Sequence, residues 1–131
     1  MTRYVIDAAA AIEIARRPVA VAAENSLVAP SLLRSQVLSI LYRAVRASEL
    51  TPQEGRALLE RVTELKIRLL GDRISRGTAW RIAEELGWDD TADAEYLAVT
   101  RLQADALVAL DPRLARLAYG VVPLAEFEAL F

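Results

Sequence analysis

The chain has 131 residues, of which 54% are hydrophobic and 26% are charged, and its formal net charge is −2. This length suits one domain, and the apolar content supplies a buried core, which excludes both a two-domain protein and a disordered one. Cysteine and histidine are both absent, which excludes disulfides, thiolate or imidazole metal sites, and catalytic pairs that need either residue.

The first elements alternate short β-prone runs with helical stretches. The apolar run 4–6 predicts a buried strand that ends at Asp7, and the alanine-rich run 8–15 predicts a helix. Pro18 predicts the start of another short helix that ends near Asn25. The run 27–29 then predicts a second strand, which Pro30 stops.

The middle of the chain carries the clearest helix signals. Apolar residues at helical spacing predict a helix over 31–47 with Ser31 as its N-cap. The run Thr51-Pro52-Gln53-Glu54 is typical of a capping box, and we expect its helix to reach about Leu65. A third strand is predicted over 67–70, followed by a helix over 73–86 that Asp72 caps and Gly87 stops.

The last third continues the alternation. Thr91 is expected to cap a helix to about Gln103, and 106–110 is the clearest buried strand. Asp111-Pro112 predicts another helix start, to about Ala118, and 121–123 is a candidate for a last edge strand. The pattern predicts one α/β domain over residues 1–131, with a four- to five-stranded, mostly parallel sheet flanked by helices.

Aspartates follow two of the predicted strands. Asp7 comes after the first strand and Asp111 after the fourth, while Asp93 lies in the first turn of the helix that precedes the fourth. Ligands of open α/β sheets bind at the carboxyl ends of the strands, and carboxylate oxygens suit hard cations such as Mg²⁺ and Mn²⁺. Each aspartate also has an ordinary structural explanation, because a carboxylate at a helix start caps it or favours its dipole.

Four segments of the chain resemble one protein family. The pair Thr91-Ala92-Asp93-Ala94-Glu95-Tyr96-Leu97-Ala98 and Leu107-Val108-Ala109-Leu110-Asp111 resembles the C-terminal signature of PIN domains, especially the VapC toxins of bacterial toxin–antitoxin modules. The run Val5-Ile6-Asp7-Ala8 is similar to that family's first strand and first acid. The segment from Ala29 to Leu38 is similar to the one that carries its second acid. The resemblance spans essentially the whole chain in the family's order.

This resemblance implies a three-layer PIN-like fold and a metal-dependent endoribonuclease. In that family acidic residues bind Mg²⁺ or Mn²⁺ and position a water that attacks an RNA phosphodiester bond. Carried over by position, the acids are Asp7, Asp93 and Asp111, and Gln36 stands where the family has a glutamate. The implied partners are RNA as substrate, a cognate VapB-like antitoxin and a second copy of the chain in a homodimer.

The chain departs from the family at three polar positions, which leaves alternatives open. Gln36 removes one negative charge, and Ala9 and Ala109 stand where the family often has serine or threonine. One alternative is therefore a PIN-fold protein with weakened catalysis that acts by binding an antitoxin or RNA. A phosphotransfer domain with Asp7 as nucleophile is disfavoured, because Ala9 replaces the second acid that such phosphatases need.

Further expectations concern location and surfaces. The N-terminus lacks the pattern of a signal peptide, and no apolar stretch approaches the roughly 20 residues of a membrane span, so we expect a cytoplasmic protein without membrane contact. Apolar residues on the helices between Ser31 and Leu65 could serve a homodimer or an antitoxin segment. Five arginines are candidates for phosphate contacts if they flank the acids: Arg16, Arg17, Arg34, Arg43 and Arg46.

Overall fold

A computed structural model describes all residues 1–131 as alternating strands and helices. The four strands are β1 (Thr2–Ile6), β2 (Asn25–Pro30), β3 (Ile67–Leu70) and β4 (Ala106–Val108). The six helices are α1 (Ala8–Arg16), α2 (Leu33–Arg46), α3 (Pro52–Glu64), α4 (Arg73–Leu86), α5 (Ala92–Gln103) and α6 (Pro112–Ala118). A short 3-10 helix, Phe127–Leu130, closes the chain. No helix combines the length and the apolar character that crossing a membrane requires.

The strands form one parallel sheet in the order β3-β2-β1-β4. The central strand β1 pairs with β2 on one side and β4 on the other, so that Val5 lies between Val28 and Leu107 and is fully buried. Helices α1, α2 and α3 pack against one another, α4 packs on α5, and α5 also lies against three of the strands. The predicted α/β class with a helix-flanked parallel sheet is confirmed and is consistent with a three-layer PIN-like fold.

Most helix boundaries follow from the local signals. Thr51 and Glu54 form the predicted capping box at α3, and Asp72 caps α4 by accepting a hydrogen bond from the Ser75 N–H. Gly87 ends α4 in the left-handed conformation (φ 70°), which a residue without a side chain adopts at little cost. The prediction of Ser31 as the N-cap of α2 is wrong, because Leu32 occupies that position. Thr91 does occupy the N-cap position of α5, but its side chain accepts no capping hydrogen bond.

The helix predicted from Pro18 to Asn25 is absent, and residues 17–24 form turns and irregular backbone instead. The C-terminus determines this path. The Ala22 N–H donates to the Leu130 carbonyl at 2.9 Å, and the Asn25 amide donates to the carbonyls of Ala129 and Leu130. These contacts join residues more than a hundred positions apart, so tertiary structure overrides the local helix propensity here.

The strand at 106–110 is shorter than predicted, since β4 ends at Val108, and the edge strand expected at 121–123 does not form. In place of that strand, Leu124 makes one isolated bridge to Leu107. The Leu107 N–H donates to the Pro123 carbonyl, and the Ala125 N–H donates to the Leu107 carbonyl. The early end of β4 releases residues 109–111 to turn towards the carboxyl end of β1, which is where the predicted acids lie.

Candidate functional site

Asp7 is the most buried of the predicted acids, with 3% of its surface exposed. It directly follows β1 and caps α1, where its Oδ1 accepts the Ala10 N–H at 2.8 Å. The same carboxylate crosses to the segment after β4 and accepts the N–H groups of Leu110 at 3.2 Å and Asp111 at 2.9 Å. Asp7 therefore fastens the end of β1 to the end of β4.

The environment of Asp7 acts on its charge in two directions. Burial raises the pKa of this carboxyl above its ordinary value, and the three backbone N–H donors, which favour the charged form, oppose that effect. A carboxylate has about four lone-pair positions, and three are occupied by these donors. Asp7 is thus mainly an anchor of the backbone, and little of it is left to bind a ligand.

Asp93 and Asp111 share a cation that belongs to the chain itself. The Arg113 guanidinium donates two hydrogen bonds to Asp93, at 2.6 and 3.0 Å, and lies 3.5 Å from Asp111 Oδ2. Asp111 also caps α6 by accepting the Arg113 N–H. The Arg113 side chain is 56% exposed and that of Asp93 is 23% exposed, so this bidentate pair lies at the open side of the site.

Gln36 reaches the site from α2 and accepts a hydrogen bond from the Tyr96 hydroxyl at 2.5 Å. Tyr96 is buried on α5, and burial is the main cause that raises the pKa of its phenol. A phenol that stays protonated is a permanent donor here, and the amide oxygen of Gln36 satisfies it. The pair ties α2 to α5 across the site.

All four residues predicted from the sequence, Asp7, Gln36, Asp93 and Asp111, line one open pocket of about 690 Å³. Ala9 lines it too, whereas Ala109 does not. Further lining residues were not predicted as site residues and include Ser35, Ser39, Tyr96 and Arg113. The sequence does contain a signal for Arg113. It is the second residue of the helix that Asp111 caps, so its side chain can reach back to the acids.

The structure also sorts the other candidates. Of the five arginines proposed for phosphate contacts, Arg43 alone lines this pocket. Arg17 instead pairs with Glu128 and stacks on Phe127 and Phe131, which fixes the C-terminus.

The donor set agrees in kind with a hard cation. It offers oxygen ligands, carboxylates among them, and the Arg113 guanidinium shows that a positive group is accommodated between Asp93 and Asp111. No three acidic side chains in the chain are arranged so that they could jointly hold a metal ion. A cation held by Asp93 and Asp111 would have to displace Arg113, which bridges the two carboxylates.

Comparison with known proteins adds information on the fold. No family model and no curated protein matches the sequence. Among solved structures, the chain is similar to the crystal structure of PAE2754 from Pyrobaculum aerophilum, with a TM-score of 0.68 and 21% sequence identity. The match covers 98% of this chain and 93% of that chain. At this level of identity the likeness shows a shared α/β fold over the full length of the domain.

Proposed function

We propose that this protein is a metal-dependent endoribonuclease, a VapC-like toxin that hydrolyses RNA phosphodiester bonds. The observation that carries the proposal is the convergence of Asp7, Asp93 and Asp111, from three separate parts of the chain, on one pocket at the carboxyl ends of β1 and β4. This is the edge at which open parallel sheets bind their ligands.

Asp93 and Asp111 would hold Mg²⁺ or Mn²⁺, which would supply a more acidic water and neutralise charge that develops on the RNA phosphate. Asp7 positions the segment that carries Asp111. Asp7 holds the backbone of Leu110 and Asp111 through their N–H groups, so that the Asp111 side chain starts from a fixed position.

Arg113 has two roles in this proposal. Without metal it neutralises Asp93 and Asp111 and so reduces their mutual repulsion. When RNA enters, its planar guanidinium suits a phosphate as well as a carboxylate, and it is exposed enough to turn towards the substrate. Gln36 and Tyr96, joined by their hydrogen bond, keep the opposite wall in place.

The test is cleavage of a labelled single-stranded RNA by the purified chain, free of any partner, with Mn²⁺ or Mg²⁺. Asp93→Asn should abolish cleavage and weaken Mn²⁺ binding measured by calorimetry. Asp89→Asn removes the same charge from an exposed residue outside the pocket and should leave both unchanged. Absence of cleavage by the wild type with either metal would refute the enzymatic proposal.

A second candidate is a protein that binds RNA or an antitoxin without cleaving. It is favoured by the occupation of both Asp93 oxygens by Arg113 and by the neutral Gln36 at the position of a family acid. RNA binding without cleavage in every metal tested would support this candidate over the first.

The proposed partners are a VapB-like antitoxin and a second copy of the chain in a homodimer. They are supported by an apolar groove between α2 and α3, at whose edge Leu38 and Tyr42 are 55% and 65% exposed. Light scattering should give twice the chain mass, and Tyr42→Glu should yield a monomer. A wild-type chain that is monomeric at micromolar concentration would refute the dimer.

A further inference from the structure

The pocket extends beyond the acids. It has a volume of about 690 Å³, and its lining runs from Asp7, Asp93 and Asp111 to residues of α2. A second region therefore lies beside the acids, and its wall is formed by α2.

This wall is a polar stripe along α2. Ser35, Ser39 and Arg43 follow one another at intervals of four residues and thus share one face, and all three line the pocket. The opposite face carries Leu33, Val37 and Leu41, which are buried in the core. The stripe consequently has no role in packing, and it faces the acids across open space.

Arg43 is the positive group of this stripe. Its Nη1 donates to the Ser39 hydroxyl at 2.8 Å, and it forms no salt bridge, unlike Arg113, whose charge is matched by Asp93 and Asp111. A guanidinium has five N–H donors, so most of those on Arg43 remain available. Ser39 holds the side chain on the pocket side of the helix without neutralising it.

We propose that Arg43, oriented by Ser39, binds an RNA phosphate next to the one that is cleaved, so that the pocket takes a single-stranded segment of at least two nucleotides. This inference rests on the proposed function, since it assigns that site's second phosphate contact. Ser35 and Ser39 add hydroxyl groups to the same wall, which suit ribose and phosphate oxygens. Acids at one end and an uncompensated guanidinium at the other give the bound strand a direction.

The test measures binding rather than cleavage, by fluorescence anisotropy of a labelled eight-nucleotide oligouridine RNA with Ca²⁺ in place of Mg²⁺. For single strands the logarithm of affinity changes with that of salt by about 0.7 per phosphate contact, which at about 0.1 M salt corresponds to roughly fivefold in Kd. Arg43→Gln should therefore weaken binding about fivefold and lower the salt slope by about 0.7.

The matched control is Arg46→Gln, which removes the same charge from the same helix, three residues on and outside the pocket. It should change neither Kd nor the salt slope by more than about a third of the Arg43 effect. Arg43→Lys keeps the charge and should restore the slope. Uridine monophosphate, which lacks a second phosphate, should bind equally to the wild type and to Arg43→Gln.

Equal losses in the Arg43 and Arg46 variants, or no binding of the RNA by the wild type, would overturn the inference. The outcome is separate from that of the proposed function. A chain that binds RNA through Arg43 but cleaves nothing keeps Arg43 as a phosphate contact, and only the enzymatic proposal is lost. If the chain cleaves RNA and Arg43→Gln binds RNA as tightly as the wild type, the enzymatic proposal is kept and the role of Arg43 is refuted.

Discussion

Replacing Asp7 by asparagine changes one carboxylate oxygen into an NH₂ group at a place where all three partners are donors. In the better orientation the remaining oxygen keeps the N–H groups of Ala10 and Leu110, and the NH₂ group faces the Asp111 N–H. A buried donor without an acceptor costs about 1–3 kcal/mol. The neutral side chain recovers part of this, because burial disfavours the charged carboxylate and raises its pKa.

We therefore expect Asp7→Asn to lower the free energy of unfolding by about 2 kcal/mol. Urea unfolding should show a lower midpoint with an unchanged slope, since the surface exposed on unfolding is the same. The control is Asp93→Asn, whose carboxylate pairs with an exposed arginine, and its loss should stay below about 1 kcal/mol. Wild-type stability of Asp7→Asn, or equal losses in the two variants, would contradict the anchoring role of Asp7.

Five further variants test other contacts. Arg113→Gln should raise Mn²⁺ affinity severalfold in calorimetry, since an exposed ion pair worth up to about 1 kcal/mol no longer competes for Asp93; weaker binding would show that Arg113 assists the metal. Gln36→Leu should cost about 1–3 kcal/mol in urea unfolding by depriving the buried Tyr96 hydroxyl of its acceptor, and Gln36→Glu should avoid that loss. A Cβ added at Gly55 would lie 2.5 Å from Val45, whereas one at Gly77 meets nothing within 4 Å. Gly55→Ala should therefore destabilise by about 1–3 kcal/mol and Gly77→Ala should stabilise by up to about 1 kcal/mol, and thermal shifts of the same sign would contradict this packing.

The elements that were predicted correctly are those whose signals are local. The capping box at Thr51 and the glycine stop at Gly87 each depend on residues within one helical turn. The failed helix at 18–25 has ordinary local propensity, and its path is decided by hydrogen bonds to residues 129 and 130. Residues 18–25 contain no local signal for partners more than a hundred positions away, so helix propensity alone could not predict the irregular backbone there.

The same distinction applies to the site. That Asp7 and Asp111 meet could be predicted, because parallel strands bring their carboxyl ends to one edge, whereas Asp93 was expected there from the resemblance to PIN domains. Their different environments could not. The Asp7 carboxylate accepts hydrogen bonds from backbone N–H groups 103 and 104 residues away, while Asp93 pairs with Arg113, 20 residues away. Three aspartates that look equivalent in the sequence are thus an anchor and two candidate ligands.

Gln36 and Arg113 have one effect in common, which leads to a last prediction. Both limit the negative charge in the pocket without metal, Gln36 because its side chain is neutral and Arg113 because it pairs with two acids. A glutamate at position 36 would face the same space as the three aspartates, and Arg113 would then be needed more. In EDTA, the double variant Gln36→Glu with Arg113→Gln should be less stable than the sum of the single variants by about 0.5–1 kcal/mol.

Saturating Mn²⁺ should reverse this excess, because the ion replaces the charge that Arg113 supplied, and it binds the folded chain only. The four proteins of this cycle are compared by urea unfolding with and without the metal. Additive effects in EDTA would mean that residues 36 and 113 do not sense the same charge. A coupling that Mn²⁺ leaves unchanged would place the cation elsewhere than between the carboxylates that Arg113 now bridges.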